Sequence, residues 1–370
     1  MSIRDIDPAD YDHVNALWES VWWPTRSLAG WAWLAANPLL AHRPAPLGWV
    51  HVNETGQVDA VLGALPQRFW VGDSCFYGLT GHSLVVAPQV RGASRHMIKR
   101  IIDQPGFCAR YTLNANILSH KIYGRFGFVS HPVETANFKL AWMIDPLACL
   151  AGKVLRRALE PHPTLARRAG ERLMPGRLWH EMKRSYRHPI HEMTAFDEAY
   201  QDFWLRLRAE GDLIADRSAE VQTWRMKDPD QTVTPIVLKF CRGDDITGYA
   251  CAMFSKPSPI EPLVLEIIDL MALQDEAEAV PALMADLMQM AHAHGAAKLR
   301  LSMVSPRLLK QLGSYADKAR REGGWAHAHI HLDADAPDIH RWSPTSYDGD
   351  LFMSLRPPPR RYQITKMAAE

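Results

Sequence analysis

The chain has 370 residues, of which 47% are hydrophobic and 22% charged, with a formal net charge of +1. This composition is that of a globular protein, excludes a disordered or collagen-like chain, and gives no overall field that favours nucleic acid. The five cysteines are odd in number and form no C-x-x-C pair, which argues against a disulfide framework and a zinc site.

The first 148 residues predict one α/β domain with the element order β, α, β, β, β, α, β, α, β. A short strand near Ile3 precedes a helix, and two extended runs within 49–71 form a hairpin around a polar turn. The remaining elements follow in order: strand SLVVA, a helix at 92–103, strand YTLNA, a helix at 117–126 and strand FKLAWMI.

The second half repeats the first in outline, which predicts two tandem copies of one fold. Trp33 is followed by Pro38, and Trp224 by Pro229, each after a helical opening. A hairpin, the strand LEIIDLMAL, a helix at 277–294, the strand LRLSMV, a helix at 306–312 and strands near HAHIHL and DLFMSL complete the copy. The predicted boundaries are a first domain at 1–148, a basic linker or helical hairpin at 149–190, a second domain at 191–357 and a tail at 358–370.

Two segments of the first half carry a recognisable spacing of residues. One has Asn116, Tyr123 and then Gly127-Phe128, and the other has Val86 followed by Arg91-Gly92. Together they resemble the acyl-CoA N-acyltransferases of the GNAT superfamily. The resemblance implies two tandem GNAT-like domains, each with a mixed, mostly antiparallel sheet flanked by helices. It also implies acyl-CoA as co-substrate, with no metal.

In that superfamily a glycine-rich turn opens a helix and holds the CoA pyrophosphate on backbone N–H groups, because those groups are unpaired and the helix dipole is positive there. The corresponding cofactor-binding residues here are Arg91, Gly92, Ala93, Ser94 and Arg95. Ser94 and His96 stand where the superfamily has small residues, which hinders close backbone approach. Either the arginines and Ser94 compensate, or the loop has lost CoA.

The resemblance also assigns roles around the thioester. Val85, Val86 and Ala87 would polarise its carbonyl through backbone N–H groups, and Tyr123 would protonate the departing thiolate. Asn116 either contacts CoA or caps its helix. For the base that takes the proton of the amine, we choose His82, because histidine titrates near neutral pH. Alternatively, His82 and Tyr123 are ordinary core residues without a catalytic role.

The second copy carries Glu266 and Asp269 on the strand that corresponds to SLVVA, without an Arg-Gly loop after it. It is therefore expected to be degenerate. Tandem GNAT-like architecture resembles bacterial ceramide synthases and enzymes of cell-envelope polysaccharides. The tryptophan-rich segment 22–40 favours a hydrophobic amine acceptor such as a sphingoid base.

Two alternatives stay open for the function, and one stays open for the cellular location. One is a non-catalytic module that binds a lipid or a protein partner, and another is acyl or aminoacyl transfer to envelope precursors. The N-terminus has no secretory signal and no apolar run is long enough to cross a bilayer, so a cytoplasmic protein is expected. The basic stretch 150–190 adds the option of peripheral contact with anionic lipid at the inner membrane face.

Overall fold

The computed structural model describes residues 2–90, 92–159, 162–172, 189–231, 233–256, 258 and 260–355. The early elements are β1 (Ser2–Asp5), α1 (Tyr11–Ser20), α2 (Leu28–Ala35), β2 (Gly48–Val52), β3 (Val58–Val71), β4 (Ser74–Val86), α3 (Ala93–Ile102), β5 (Ala109–Thr112), α4 (Ile117–Tyr123), β6 (Val129–Ser130), β7 (Phe138–Met143), α5 (Pro146–Leu159) and α6 (Pro163–Arg172).

The later elements are β8 (Ile190–Glu192), α7 (Glu198–Ala209), β9 (Ile214–Ala215), α8 (Ala219–Met226), β10 (Ile236–Arg242), β11 (Asp245–Ser255), β12 (Val264–Ala272), α9 (Ala279–Ala293), β13 (Lys298–Leu301), α10 (Pro306–Gln311), α11 (Ser314–Lys318), β14 (Arg320–Gly323), β15 (His329–Leu332) and α12 (Leu351–Ser354). The predicted fold class, α/β with mixed sheets flanked by helices, is confirmed.

The described residues form two compact units, each made of separate stretches of chain. The first unit holds the residues up to Phe138, together with Trp204–Asp230 and Gly323–Ser354. The second holds the described parts of Lys139–Phe203 and Gln231–Glu322. The units therefore differ from the sequential domains at 1–148 and 191–357.

The two sheets have the same strand order. The first runs β1, β2, β3, β4, β5, β15, β6, with β9 beside β3, and the second runs β8, β10, β11, β12, β13, β7, β14. In each sheet the fourth and fifth strands are parallel, β4 with β5 and β12 with β13. A helix connects those parallel strands, α3 in the first unit and α9 in the second, as a parallel crossover requires.

The sixth strand of each sheet comes from a distant part of the sequence. FKLAWMI, expected as the last strand of the first domain, forms β7 and pairs with β13 in the second sheet. In the first sheet that position is taken by β15, whose His329 and Leu332 pair with Thr112 and Ala109 of β5. Periodicity predicts that a segment is a strand, but not which sheet it joins, because any exposed strand edge offers the same backbone groups.

Two other expectations about secondary structure need correction. The segment DLFMSL was expected to be a strand, but Leu351–Ser354 form the short helix α12. The strand containing SLVVA begins much earlier than expected, at Ser74, so β3 and β4 form a long hairpin. Glycines at 78 and 81 obscure the first part of β4, because glycine is depleted in strands.

Helix α3 packs on one face of the first sheet through residues four apart. Its Ala93, Met97 and Ile101 are buried in one cluster with Trp49 and Leu62 of the sheet. The i, i+4, i+8 spacing places all three on one side of the helix. This packing fixes where the N-terminus of α3 lies.

Within the stretch expected to be a basic linker or helical hairpin, the structure describes helices α5 and α6, and residues 173–188 lie outside the described residues. The expected tail at 358–370 also lies outside them. In the described part of the chain, no helix is both long enough and apolar enough to span a bilayer.

The exchanged strands predict that neither half folds alone. If the chain is cut between residues 180 and 181, the N-terminal fragment lacks β15 and leaves one edge of β5 unpaired, while the C-terminal fragment lacks β7. We expect each fragment to be unfolded or aggregated by circular dichroism, and the co-expressed fragments to copurify as a folded complex. Cooperative thermal unfolding of the isolated N-terminal fragment would contradict this.

Candidate functional site

Strands β4 and β5 of the first unit pair along only part of their length. Their ladder runs from Gly78–Ala109 to Thr80–Tyr111. Beyond it, β4 continues to Val86 along β3. A register shift interrupts this β3–β4 ladder opposite Ser83, which has a positive φ of 52°. Such a bulge bends a strand and re-aims its backbone groups, so it separates β4 from β5 at its C-terminal end.

Three backbone N–H groups were predicted to face the thioester, and the separation of the strands leaves that of Val86 pointing away from β3. Ala87 donates its N–H to the carbonyl of Asp59 at 2.8 Å, so that group is used inside the sheet. Neighbouring residues of a strand direct their N–H groups to opposite sides. Val85 therefore points towards β3, like Ala87, and Val86 points to the side on which β5 has stopped pairing.

The N-terminus of α3 opens into a cavity of about 470 Å³ lined by Gly92, Ser94, Arg95, Ile122 and Arg125. Gly92 stands immediately before the helix with φ of +83°, a conformation that glycine adopts without strain. No side chain among the described residues caps this helix. The cavity thus combines free helix N–H groups with two arginines, a set that suits an anion.

The predicted loop residues divide around this cavity. Ala93 is buried and points into the core, whereas Ser94 is half-buried in the cavity wall and Arg95 and His96 are exposed. Arg91 lies outside the described residues. Arg125, which sequence reasoning did not select, supplies a second positive charge from the turn after α4.

Tyr123 is buried at the end of α4, in a cluster with Ile98 of α3, Ala115 and Phe128, against which Leu84 of β4 packs. Burial, and secondarily the charge of Asp350, raises the pKa of its phenol well above the usual value. Its side chain is hydrogen-bonded to Thr112 of β5. Tyr123 therefore keeps its proton at neutral pH and lies between the two strands that separate.

Asn116 has the capping arrangement that was one of its two predicted roles. Its Oδ1 accepts hydrogen bonds from the N–H groups of Leu118 at 2.9 Å and Ser119 at 2.8 Å. Ser119 Oγ in turn accepts from the Asn116 N–H at 3.0 Å. This reciprocal pair is a capping box, which accounts for Asn116 without a bound ligand.

His82 lies in a small cavity of about 20 Å³ between β4 and the first helices. The wall is formed by Trp18, Trp23, Pro24, Arg26, Leu34, His82, Ser83, Met353 and Ser354. Burial, with a smaller contribution from Arg26, lowers the pKa of His82 to about 3. Its Nδ1 lies 3.1 Å from Ser83 Oγ, and its buried Nε2 has no hydrogen-bond partner in the described residues. His82 is thus neutral at physiological pH and a weak base.

The charge of Arg26 beside this cavity is balanced by two carboxylates. Arg26 Nη1 donates to both oxygens of Asp228 at 2.7 Å and lies 3.4 Å from Asp230. Arg26 and Asp228 are both buried. Removing one partner of such a pair costs about 3–5 kcal/mol, because the other charge stays buried and unpaired.

The repeat-related tryptophans stack directly on each other in the first unit. The rings of Trp33 and Trp224 have centroids 4.4 Å apart and planes 6° apart. Each indole N–H donates to the backbone carbonyl of the other tryptophan, at 2.8 and 3.0 Å. The pair joins α2 to α8 and so holds Arg26 near Asp228.

The sequence carries a signal for this arrangement that our sequence reasoning missed. Trp33 and Trp224 belong to one longer pattern, R-S-x5-W-x3-[N/D]-P, which starts at Arg26 and again at Arg217. Recognising it would have selected Arg26 and Asp228 as members of a shared structure. Arg217 is also buried, and it donates to Asp348 at 2.6 Å.

In the second unit, Glu266 and Asp269 are buried on β12 and their side chains have partners. Glu266 is paired with Arg300 of β13, and Asp269 accepts a hydrogen bond from the Tyr249 hydroxyl. A structural role accounts for both carboxylates. Among the described residues, no group of His, Cys, Asp and Glu side chains is arranged to hold a metal ion.

No protein-family model matches the chain, and no curated protein matches it by sequence. Among solved structures, it is similar to Eis1 from Mycobacterium abscessus, with 15% identity, TM-score 0.50, and coverage of 90% of this chain and 74% of that one. A probable N-acyltransferase from Enterococcus faecalis V583 has 12% identity, TM-score 0.51 and coverage of 90% and 72%. A GCN5-related N-acetyltransferase from Anabaena variabilis has 14% identity, TM-score 0.50 and the same coverage.

At such low identities the likeness to these structures establishes the fold alone. The chain has a GNAT-like fold. The fold that the resemblance to the GNAT superfamily implied is therefore confirmed.

The low pKa of His82 predicts a loss of stability in acid. Between about pH 6.5 and 3 the unfolded chain binds a proton that the folded protein excludes. The free energy of unfolding is therefore highest above pH 6.5 and falls as the pH drops through this range. Relative to His82→Gln, the wild type should lose about 2 kcal/mol of unfolding free energy between pH 7.5 and 5. Parallel pH profiles in urea unfolding would show that His82 titrates normally.

Proposed function

We propose that the chain is an acyl-CoA-dependent N-acyltransferase whose site lies in the first unit. The observation that carries the proposal is the cavity of about 470 Å³ at the uncapped N-terminus of α3, with Arg95 and Arg125 in its wall. The GNAT-like fold adds the separated strands β4 and β5 beside it. A phosphate-bearing donor fits this combination of helix N-terminus and guanidinium groups.

The donor would be held at both ends. Its phosphates bind the α3 N-terminus, Arg95 and Arg125, and Ser94 adds a hydroxyl where the superfamily has a smaller residue. The thioester carbonyl accepts a hydrogen bond from the Val86 N–H. A donor aimed at the carbonyl oxygen stabilises the negative charge that develops there during attack.

The reaction needs a proton to leave the amine and a proton to reach sulfur. The amine nitrogen attacks the thioester carbon, an N–C bond forms, and the C–S bond breaks as the thiolate leaves. Tyr123, kept protonated by burial, donates its phenolic proton to that sulfur, and the phenolate then regains a proton from solvent. Ile122, the residue beside it, lines the donor cavity.

We place the amine in the cavity of His82. A volume of about 20 Å³ accommodates one amino group, which is close in size to a water molecule. The neutral Nε2 of His82 accepts a hydrogen bond from the amine and orients it, while water takes the proton, since His82 is too weak a base to hold it at neutral pH.

The walls of this cavity favour a hydrophobic primary amine as the acceptor. Trp18, Trp23, Leu34 and Met353 present apolar surface around the polar Nε2. The cavity holds the amino group alone, and its apolar walls suit an amine attached to a hydrocarbon chain, such as a sphingoid base. A non-catalytic module that binds the same amine is the competing function.

The proposed donor site predicts that replacing either arginine lowers the affinity for acyl-CoA. Arg95→Ala and Arg125→Ala should each weaken acetyl-CoA binding about tenfold, the usual effect of losing a charge-assisted hydrogen bond. Arg100→Ala, on the exposed surface of the last turn of α3, is the matched control and should bind normally. Isothermal calorimetry with acetyl-CoA and a long-chain acyl-CoA measures this. Absence of binding to the wild type by both donors would reject the proposal.

If Tyr123 is the proton donor, its replacement should slow the chemical step without weakening the binding of acyl-CoA. Tyr123→Phe should lower kcat by about 10²–10⁴ while leaving the dissociation constant of acyl-CoA unchanged. Release of free thiol with a series of primary alkylamines measures the rate. Retention of full activity in Tyr123→Phe would remove Tyr123 from the mechanism. A wild type that binds acyl-CoA but transfers no acyl group to any amine would favour the non-catalytic module.

A further inference from the structure

The exchanged strand β15 carries two histidines, His329 and His331, two positions apart. Alternation along a strand places both side chains on one face. That face meets α4 and the turn after it: His329 contacts His120 and Tyr123, and His331 contacts Phe128. A part of the chain some 200 residues downstream in sequence thus lies against the residues of the donor site.

His329 is in direct contact with the Tyr123 ring. The two ring centroids are 5.4 Å apart and the planes 22° apart, which is a stacked arrangement. His329 also pairs across the sheet with Thr112, the residue to which the Tyr123 side chain is hydrogen-bonded. Two residues that face each other across the sheet therefore hold Tyr123. Thr112 of β5 contacts its hydroxyl, and His329 of β15 contacts its ring.

Hydrogen bonds fix the orientation of the His329 ring. Its Nε2 lies 3.1 Å from the carbonyl of Ala326 and 3.1 Å from Nδ1 of His120. A carbonyl oxygen only accepts, so we assign the hydrogen to Nε2, which makes His120 Nδ1 a second acceptor. Burial is the main cause that lowers the pKa of His329, to about 4, so the ring is neutral at physiological pH.

We propose that His329 is a positioning residue for acyl transfer: its neutral ring, fixed by Ala326 and His120, holds the Tyr123 ring where the phenol can reach the departing sulfur. This inference rests on the proposed function. It adds that the donor site of the first unit is incomplete without a strand that follows the whole second sheet in sequence. No proton passes through His329 in this role.

The kinetic test compares variants that keep or remove the planar ring in the full chain. His329→Leu keeps volume but loses the ring plane, and it should lower kcat about 10–100-fold, since a misplacement of about 1 Å can cost 10²-fold. His329→Phe keeps the stack and should stay within about threefold of wild type. The dissociation constant of acyl-CoA should change in neither variant.

The matched control is His331→Leu, which alters the same residue type on the same face of β15 at a position that contacts Phe128 and not Tyr123. It should leave kcat near the wild-type value. In a Tyr123→Phe background, His329→Leu should cause no further loss, because residues that act through one group are not additive. An equal loss in both backgrounds would overturn the positioning role. If His329→Leu does not fold, His329→Gln supplies the same comparison.

A second readout does not depend on activity. In protein labelled with 3-fluorotyrosine, the Tyr123 signal is identified by its absence in Tyr123→Phe. We expect His329→Leu to shift and broaden it, and His331→Leu to leave it in place. An unchanged Tyr123 signal in His329→Leu would overturn the inference even in an active enzyme. A shifted signal in a protein without transferase activity would instead reject the proposed function and leave the contact established.

Discussion

The ladder between β5 and β15 is the interaction on which the rest of the first unit depends. It covers the second edge of β5 along Ala109–Thr112, pairing those residues with His329–Leu332. Because β4 and β5 separate beyond Thr80 and Tyr111, β5 needs a partner on its other side to be held in place. The same strand places His329 against Tyr123. Pairing of β15 with β5 therefore both completes this part of the sheet and shapes the proposed site.

Burial controls the electrostatics of this region. His82, Tyr123 and His329 are all neutral at physiological pH, because desolvation disfavours the charged form of each. The buried cation Arg26 is neutralised by Asp228 and Asp230. In the proposed donor site, the positive groups are Arg95 and Arg125 in the wall of the α3 cavity. These two cations suit the proposed anionic donor, and the neutral His82 suits the proposed amine.

The second sheet has the strand order of the first but differs from it at the strand that corresponds to β4. Its strand order, its parallel pair and its crossover helix α9 follow the first sheet. However, the strand equivalent to β4 carries Glu266, which is paired with Arg300 on the neighbouring strand β13. β12 pairs with β13 along Val264–Ile267, so this ion pair lies inside a ladder. The topology shared by the two sheets therefore accounts for the core of the second unit, and the proposed chemistry belongs to the first.

The sequence by itself determined the local structure. Helical spacing and the Asn116 capping box specify α4, the Arg-Gly turn marks the start of α3, and alternation marks most strands, because these patterns depend on neighbours along the chain. Tertiary structure decided three further points: that β7 and β15 exchange sheets, that burial makes His82 a weak base, and that Trp33 stacks on Trp224. Each depends on residues far apart in sequence, since strand edges are interchangeable locally and desolvation is a property of the assembled core.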